Sequence, residues 1–155
     1  MKILFWFMVV LIFVNYCKTT EKSQKKEIKK VEIRCEKEIP MRYHYDTETG
    51  DILEKGPIIL PQNLSCDQAR KLPENEIMKF QRDGYWYLYH LGGKVMAEGM
   101  NKKNKREGEW KFYDEKGNLI KIILYSDGKK NGKEIGYFAG TNIVRYEGQN
   151  QDNKK

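Results

Sequence analysis

One motif recurs every 24 residues in the second half of the chain, and no other feature restricts the fold as strongly. Its first two copies share a glycine, a tryptophan, a tyrosine, a second glycine and an aliphatic residue in the same spacing: Gly84, Trp86, Tyr89, Gly93 and Val95, then Gly108, Trp110, Tyr113, Gly117 and Leu119. The third copy keeps Gly132, Tyr137 and Ile143 but has Glu134 at the tryptophan position. A period of this length is typical of one supersecondary unit that buries its apolar face against its neighbours.

Each copy is predicted to form a β-hairpin. Around Trp110 the residues alternate with the period of a strand that has one buried face, and residues 118–125 are rich in side chains that suit a strand. Residues 114–117 predict a tight turn, because Gly117 can adopt positive φ. An Asp-Gly pair at 127–128 predicts the turn to the next copy. The expected fold class is all-β, an antiparallel meander of stacked β-hairpin repeats over residues 84–148.

These recurring residues resemble the MORN (membrane occupation and recognition nexus) repeat, and more closely its longer bacterial variant, which occurs in proteins often described as antitoxin-like. The Gly-x-Trp-x-x-Tyr strand, the turn glycine and the aliphatic strand carry the resemblance, which covers residues 84–148. It implies a meander of hairpins used for binding rather than for catalysis. The third copy, with Glu134 in place of tryptophan, also has the degenerate character expected of a capping repeat.

Residues 1–16 are predicted to be a signal peptide. One lysine precedes twelve apolar residues, which as a helix would span ~18 Å, too short for the ~30 Å hydrocarbon core of a bilayer but suited to an export signal. Cys17 follows directly, and the arrangement resembles a bacterial lipoprotein, in which this cysteine receives the lipid. Val14 fits that pattern, whereas Tyr16 departs from the small residue expected there. The alternatives are an ordinary cleaved signal with an incidental cysteine, or an uncleaved anchor.

If Cys17 is lipidated, Cys35 and Cys66 are left as an even pair in an exported protein, where disulfides persist. A disulfide between them is expected, and closing that loop would stabilise the fold by roughly 3 kcal/mol. Two free buried thiols are the alternative. A metal site is disfavoured, because neither cysteine has another cysteine or a histidine within a few residues.

The net charge of +7 suggests a nucleic-acid partner, but its distribution argues against one. Lys2 supplies one of these charges and residues 18–30 supply four, which leaves only +2 for the rest of the chain. A nearly neutral domain has no general electrostatic attraction to phosphate backbones. Residues 17–31, which include the basic stretch, are poor in apolar side chains and are predicted to be a polar tether.

Residues 32–83 are expected to form a pre-repeat β segment. Residues 41–45 and 51–53, separated by a turn at 46–50, predict a divergent hairpin that packs on the array. Residues 56–61 have a proline near each end and predict a loop or an edge strand. Residues 65–72 predict one short helix, with Ser65 as its cap and Pro73 as its stop. The tail, residues 149–155, is polar and is expected to be frayed.

Nothing in the sequence predicts an enzyme, a cofactor or a metal site. The two histidines, His44 and His90, lie on predicted strands among tyrosines, and the nearest carboxylate pairs lie in turns, where Asp bonds to the backbone. The chain has no nucleophile elbow, phosphate-binding loop or zinc-protease helix.

Two features predict binding. The first is the run of Tyr85, Tyr87 and Tyr89, which offers a protein contact if the strand packs its other face on the core; a strand covered on both faces is the alternative. The second is a basic series in the turns that the repeat brings to one edge, where each cation would add about 1 kcal/mol toward anionic lipid or would only keep the hairpin edges soluble. Its members are Lys102, Lys103, Lys105, Arg106, Lys129, Lys130 and Lys133.

The sequence therefore predicts an exported, lipid-anchored protein of the bacterial cell envelope, attached to the membrane through Cys17, that binds a protein partner. The alternative is a membrane-surface module whose basic series binds anionic lipid. The family resemblance adds a third hypothesis, neutralisation of a toxin by direct contact, although an export signal argues against a cytoplasmic antitoxin.

Overall fold

The computed structural model describes residues 30–154, so the predicted signal peptide, Cys17 and almost all of the predicted tether lie outside the described residues. The described residues form ten strands and two one-turn helices. The strands are β1 Val31–Glu36, β2 Ile39–Tyr45, β3 Ile52–Ile59, β4 Gln81–Arg82, β5 Gly84–Tyr89, β6 Val95–Lys102, β7 Lys105–Tyr113, β8 Leu119–Ser126, β9 Lys129–Tyr137 and β10 Val144–Asn150. The helices are α1 Cys66–Ala69 and α2 Glu74–Ile77.

The strands form one antiparallel sheet. Its order is β1-β2-β3-β5-β6-β7-β8-β9-β10, and the short β4 pairs with the end of β3. Strands that follow one another in the chain therefore also lie side by side, which is what short hairpin connections produce. The prediction of an all-β antiparallel meander is confirmed.

The 24-residue period of the sequence is also a structural period. Gly84 opens β5, and Gly108 and Gly132 occupy the fourth positions of β7 and β9; their φ angles are +113°, +67° and +106°. The turns between units, at 103–104 and 127–128, each have two consecutive residues with positive φ. This pattern belongs to type I′ turns, which match the twist of the strands they join. The same backbone geometry thus recurs where the sequence repeats.

The pre-repeat hairpin β2–β3 joins the array through β3, which pairs with β5. The expectation of a loop or edge strand over residues 56–61 was wrong for residues 56–59, because they belong to β3, an interior strand. Proline can lie there because the β3–β5 pairing ends before it, at Lys55 and Tyr87. The Trp86 indole N–H donates to the carbonyl oxygen of Pro57 at 2.9 Å.

The helical segment has two helices where one was expected. Ser65 caps α1 as predicted, and Gln68 completes a capping box with it. Pro73, the predicted stop, is also the N-cap of α2, a position whose backbone N–H makes no hydrogen bond within the helix. Within residues 30–154, neither helix has the length and apolar character needed to cross a bilayer.

The helical segment packs on one face of the sheet at β1–β3. Its buried residues Ala69 and Ile77 meet Val31, Ile33 and Ile58 in a core cluster that continues to the tryptophans. The predicted disulfide is present: Cys35 of β1 is bonded to Cys66 of α1, with their Cα atoms 6.0 Å apart. This bond fixes the helical segment to the edge of the sheet.

The polar tail is ordered up to its last described residue. Strand β10 continues to Asn150, and residues 152–153 have φ angles of +50° and +70°, as in the turns between units. The backbone N–H of Asn153 donates to the carbonyl oxygen of Lys130 at 3.0 Å. Residues 152–153 therefore form the same kind of turn as the turns between units. The polar composition of the tail did not predict this turn.

Candidate binding surfaces

The tryptophans lie in one row that crosses the sheet from strand to strand. Neighbouring members of the row are paired, except Gly56 and Trp86, which lie one position beyond the last β3–β5 pair and meet through the indole ring. Trp86 and Trp110 are 0% and 1% exposed. Both cover a glycine of the preceding strand: a Cβ added to Gly56 would lie 2.4 Å from the Trp86 ring, and one added to Gly99 would lie 2.6 Å from the Trp110 ring. Only glycine fits beneath each indole. From β1 to β10 the row reads Ile33, Arg42, Gly56, Trp86, Gly99, Trp110, Ile123, Glu134 and Gly148.

Both tryptophans have equivalent polar partners. The Trp110 N–H donates to the Met100 carbonyl oxygen at 2.8 Å, as the Trp86 N–H does to a carbonyl of β3. A guanidinium from four residues earlier lies over each ring, with Arg82 at 4.6 Å from Trp86 and Arg106 at 4.4 Å from Trp110. Such cation–π contacts are strongest when they are shielded from water.

Charged residues occupy the tryptophan position at both ends of the row. Arg42 pairs with Gly56 and Glu134 with Gly148, as Trp86 pairs with Gly99, and their exposed fractions are 2% and 1%. The Glu134 carboxylate accepts hydrogen bonds from the Tyr146 hydroxyl at 2.8 Å and the Asn150 amide at 3.1 Å. Lys130, at the position that holds arginine in the earlier copies, lies 3.5 Å from it. The third copy is therefore a charged version of the same unit.

Beside Arg42, near the β1 end of the row, the Glu54 side chain lies between two arginines. Its carboxylate is 2.8 Å from Arg82 and 3.6 Å from Arg42. Arg42 also donates to the Phe80 carbonyl oxygen at 3.2 Å. Burial, together with the charge of Arg82, lowers the pKa of Arg42 below its usual value, and Glu54 opposes that shift. The Glu54 carboxylate therefore compensates the positive charge of both guanidinium groups.

The sheet face opposite the tryptophans carries five tyrosines from two adjacent hairpins, here called the tyrosine face: Tyr43, Tyr45, Tyr85, Tyr87 and Tyr89. The three predicted binding tyrosines follow the strand alternation, with Tyr85 39% exposed and the other two half-buried. The pre-repeat hairpin extends this face instead of covering it, because Tyr43 pairs with Lys55, which pairs with Tyr87.

Lys55 lies in the middle of the tyrosine face. Its ammonium nitrogen is 5.9 Å from the ring centre of Tyr43, 5.8 Å from that of Tyr87 and 5.9 Å from that of Tyr89. Among the described residues it has no carboxylate within ion-pair distance, whereas Arg34 at the edge of the same face bonds to Glu32. A single cation without a carboxylate therefore lies at the centre of an aromatic surface.

Carboxylates at the margin of this surface bind tyrosine hydroxyls. The Tyr43 hydroxyl donates to Glu36 and the Tyr45 hydroxyl donates to Glu32. Burial, and then the hydrogen bond to Glu36, raises the pKa of Tyr43 to about 12. Because the neutral hydroxyl is the favoured form, this contribution to stability is complete below the ordinary tyrosine pKa and is lost only as the pH rises through about 12. Tyr43 is thus neutral in any physiological medium.

The predicted basic series lies in and beside the turns at 103–104 and 127–128, and most of its charges have partners. Lys105 is 2.6 Å from Asp127, Lys129 is 3.6 Å from Asp152, and Lys133 is 3.2 Å from Glu147. Arg106 and Lys130 turn inward over the row described above. Of the seven residues, only Lys102 and Lys103 have no ion-pair or cation–π contact within residues 30–154.

Comparisons of the chain with protein-family models, with curated proteins and with solved structures give no match in any of the three. In the part of the chain that the structure describes, no group of three or more His, Cys, Asp or Glu side chains is arranged to hold a metal ion.

Proposed function

We propose that this protein is an exported, lipid-anchored binding module of the bacterial envelope, without catalytic activity, and that it binds a protein partner through the tyrosine face. The observation that carries the proposal is the tyrosine face around Lys55, on which Tyr85 is exposed, Tyr45, Tyr87 and Tyr89 are half-buried, and Tyr43 is buried. The leader and Cys17 support the export and the anchor, and the polar residues 17–31 would hold the domain at some distance from the membrane.

Tyrosine is enriched in protein interfaces, because it offers a large, rigid contact area and a hydroxyl at little cost in conformational entropy. Lys55 lies where interface hot spots are usually found, near the centre of the surface and surrounded by aromatic rings. On the tyrosine face, Tyr87 pairs with Glu98 of β6, and Glu98 pairs with Lys111 of β7. Charges of both signs at the margin favour selection of one partner over others.

The basic series supports the lipid-binding alternative less well. A surface that attracts anionic headgroups through many cations needs those cations free, and here Lys105 and Lys129 face Asp127 and Asp152. The tyrosine face is therefore the stronger candidate.

Photo-cross-linking in the envelope of living cells tests the proposal. A photoreactive phenylalanine analogue at Tyr85, the most exposed of the three predicted tyrosines, is expected to give a discrete protein adduct. The same analogue at Leu91, a hairpin-turn residue that is 64% exposed, is the matched control and is expected to give none. Lys55→Glu should reduce the adduct at least about tenfold, because it reverses the central charge.

The proposal is wrong if the analogue at Tyr85 labels only lipid, if it labels the same proteins as the analogue at Leu91, or if Lys55→Glu leaves the adduct unchanged. Recovery of the adduct with Lys55→Arg would show that the charge, and not the fold, was the cause.

A further inference from the structure

Strand β10 forms one edge of the sheet, and within residues 30–154 no other strand pairs with its outer side. Residues 151–154, the last ones that the structure describes, form a turn with an isolated bridge between Gln151 and Lys154. An edge of this kind presents backbone N–H and C=O groups that can pair with a further strand.

Gly148 occupies in β10 the place that Gly99 occupies in β6. Each pairs with the row residue of its own hairpin, Glu134 or Trp86. Each glycine is also followed, three residues later, by the first residue of the pair that flanks the next turn. This pair is Lys102 and Lys105 after Gly99, and Gln151 and Lys154 after Gly148. The two glycines are equivalent in both pairing and turn register.

The two glycines differ in what covers them. The next strand lays Trp110 over Gly99, and β5 lays Trp86 over Gly56 in the same way. A Cβ added to Gly148 would meet no atom within 4 Å, and its φ lies outside the left-handed region that favours glycine. Gly148 thus leaves an open notch at the edge of the row, where the other two glycines of the same series each hold an indole.

We propose that the outer edge of β10 accepts an antiparallel β-strand from another protein, and that this strand places an aromatic side chain over Gly148. Strand β7, which lays Trp110 over Gly99 of β6, indicates which residues should follow the aromatic one in the partner strand. There Trp110 is followed by Lys111, opposite Glu98, and Phe112, opposite Ala97. The equivalent β10 residues are Glu147 and Tyr146, so the partner carries an aromatic, then a basic, then an apolar residue.

Within residues 30–154, neither edge strand of a second copy fits this edge. Its own β10 would place Tyr146 opposite Gly148 only in the register that sets Glu147 opposite Glu147 of the other copy, and like charges directly opposite are destabilising. Its other edge strand, β1 Val31–Glu36, contains no aromatic residue. The occupant is therefore a strand of a different polypeptide.

The surroundings leave room for such a strand. A polar cleft of about 750 Å³ opens beside the end of β10, and its lining includes Asn131, Gly132 and Gln149. Strand addition of this kind takes its affinity from backbone hydrogen bonds and its specificity from alternate side chains, here the one over Gly148. This edge is separate from the tyrosine face, so the inference does not depend on the function proposed above.

The test uses the full chain labelled with ¹⁵N and a synthetic peptide with the sequence of β7, Lys105–Tyr113, which the fold already holds against Gly99. On titration with this peptide, we expect the largest amide shift changes at residues 144–150 and none at the opposite edge strand, β1. Replacing tryptophan by alanine in the peptide should weaken binding at least about tenfold, since a buried indole dominates such contacts.

The variant Gly148→Val fills the notch and should weaken peptide binding at least about tenfold without changing the thermal midpoint of the protein, because the added side chain meets open space. Glu109→Val, which places the same side chain at an exposed position of the interior strand β7, is the matched control and should bind normally. The proposal is overturned by shifts centred on β1, by no shifts at all, by self-association through β10, or by equal affinity of Gly148→Val and the unmodified chain.

Discussion

Replacing Trp110 by alanine is expected to lower the free energy of unfolding by about 3–5 kcal/mol, the usual cost of truncating a large buried aromatic. The side chain is 1% exposed, lies over Gly99 and is itself covered by the Arg106 guanidinium. Its removal leaves a cavity that the pleated backbone cannot close, and it leaves the Met100 carbonyl without the indole N–H. Chemical denaturation followed by circular dichroism measures the loss.

Two variants serve as controls for that result. Phe138→Ala removes an aromatic side chain that is 51% exposed and should change the stability by no more than about 0.5 kcal/mol. Trp110→Phe keeps part of the apolar volume and should cost less than the alanine variant. If Trp110→Ala and Phe138→Ala had equal effects, the tryptophan row would not be the core of the sheet.

Replacing Glu54 by leucine should be about as costly, roughly 3–5 kcal/mol, because it removes one partner of a buried ion pair and leaves the other charge uncompensated. Arg42 is 2% exposed and Arg82 lies close to it, so the two guanidinium groups would then repel each other in a low-dielectric environment. The free energy of unfolding from urea titration gives the size of the effect.

A double variant separates charge from packing. Arg42→Met together with Glu54→Leu removes both members of the pair, and replacing a buried pair by apolar residues is often close to neutral. We expect the double variant to be more stable than Glu54→Leu alone. If the loss of stability in the double variant equalled the sum of the losses in Glu54→Leu and in Arg42→Met alone, Arg42 and Glu54 would not interact.

The repeat in the sequence was sufficient to predict the hairpins, because their turns depend on local chemistry. Glycine and the Asp-Gly pair favour positive φ, and residues 117 and 127–128 have that conformation; at 103–104 a Lys-Asn pair adopts it without glycine. The Cys35–Cys66 bond followed from the even count of cysteines that lipidation of Cys17 would leave. The alternation of Tyr85, Tyr87 and Tyr89 also predicted their common face.

Most members of the row other than the tryptophans could not be recognised from the sequence, although Glu134 stood out at the tryptophan position. Gly99 follows Trp86 by 13 positions and Gly148 follows Glu134 by 14, a spacing that was visible but has no meaning until the strands are paired. The burial of Arg42 and Glu134 was not predicted for a different reason: charged residues are almost never fully buried unless they have partners, and those partners are brought close only by the pairing of the strands.

The position of Lys55 was equally beyond prediction. It depends on the pairing of β3 with β5, across which the tyrosines of two hairpins meet. The segment between those strands contains both helices and has no counterpart in the repeats. Local propensity therefore gave the hairpins, whereas the binding surface arises from a pairing between residues 32 positions apart, Lys55 and Tyr87.

The most direct test of the tryptophan row is the proton NMR spectrum of the glycines beneath the indoles. If the pre-repeat hairpin and the repeats form one sheet, the Hα protons of Gly56 and Gly99 will be shifted upfield by the rings of Trp86 and Trp110 and will show nuclear Overhauser contacts to those rings. Gly148, with no ring above it, will resonate near its ordinary position. Ordinary shifts at Gly56 and Gly99, without contacts to either indole, would contradict the shared row and with it the sheet on which both binding surfaces depend.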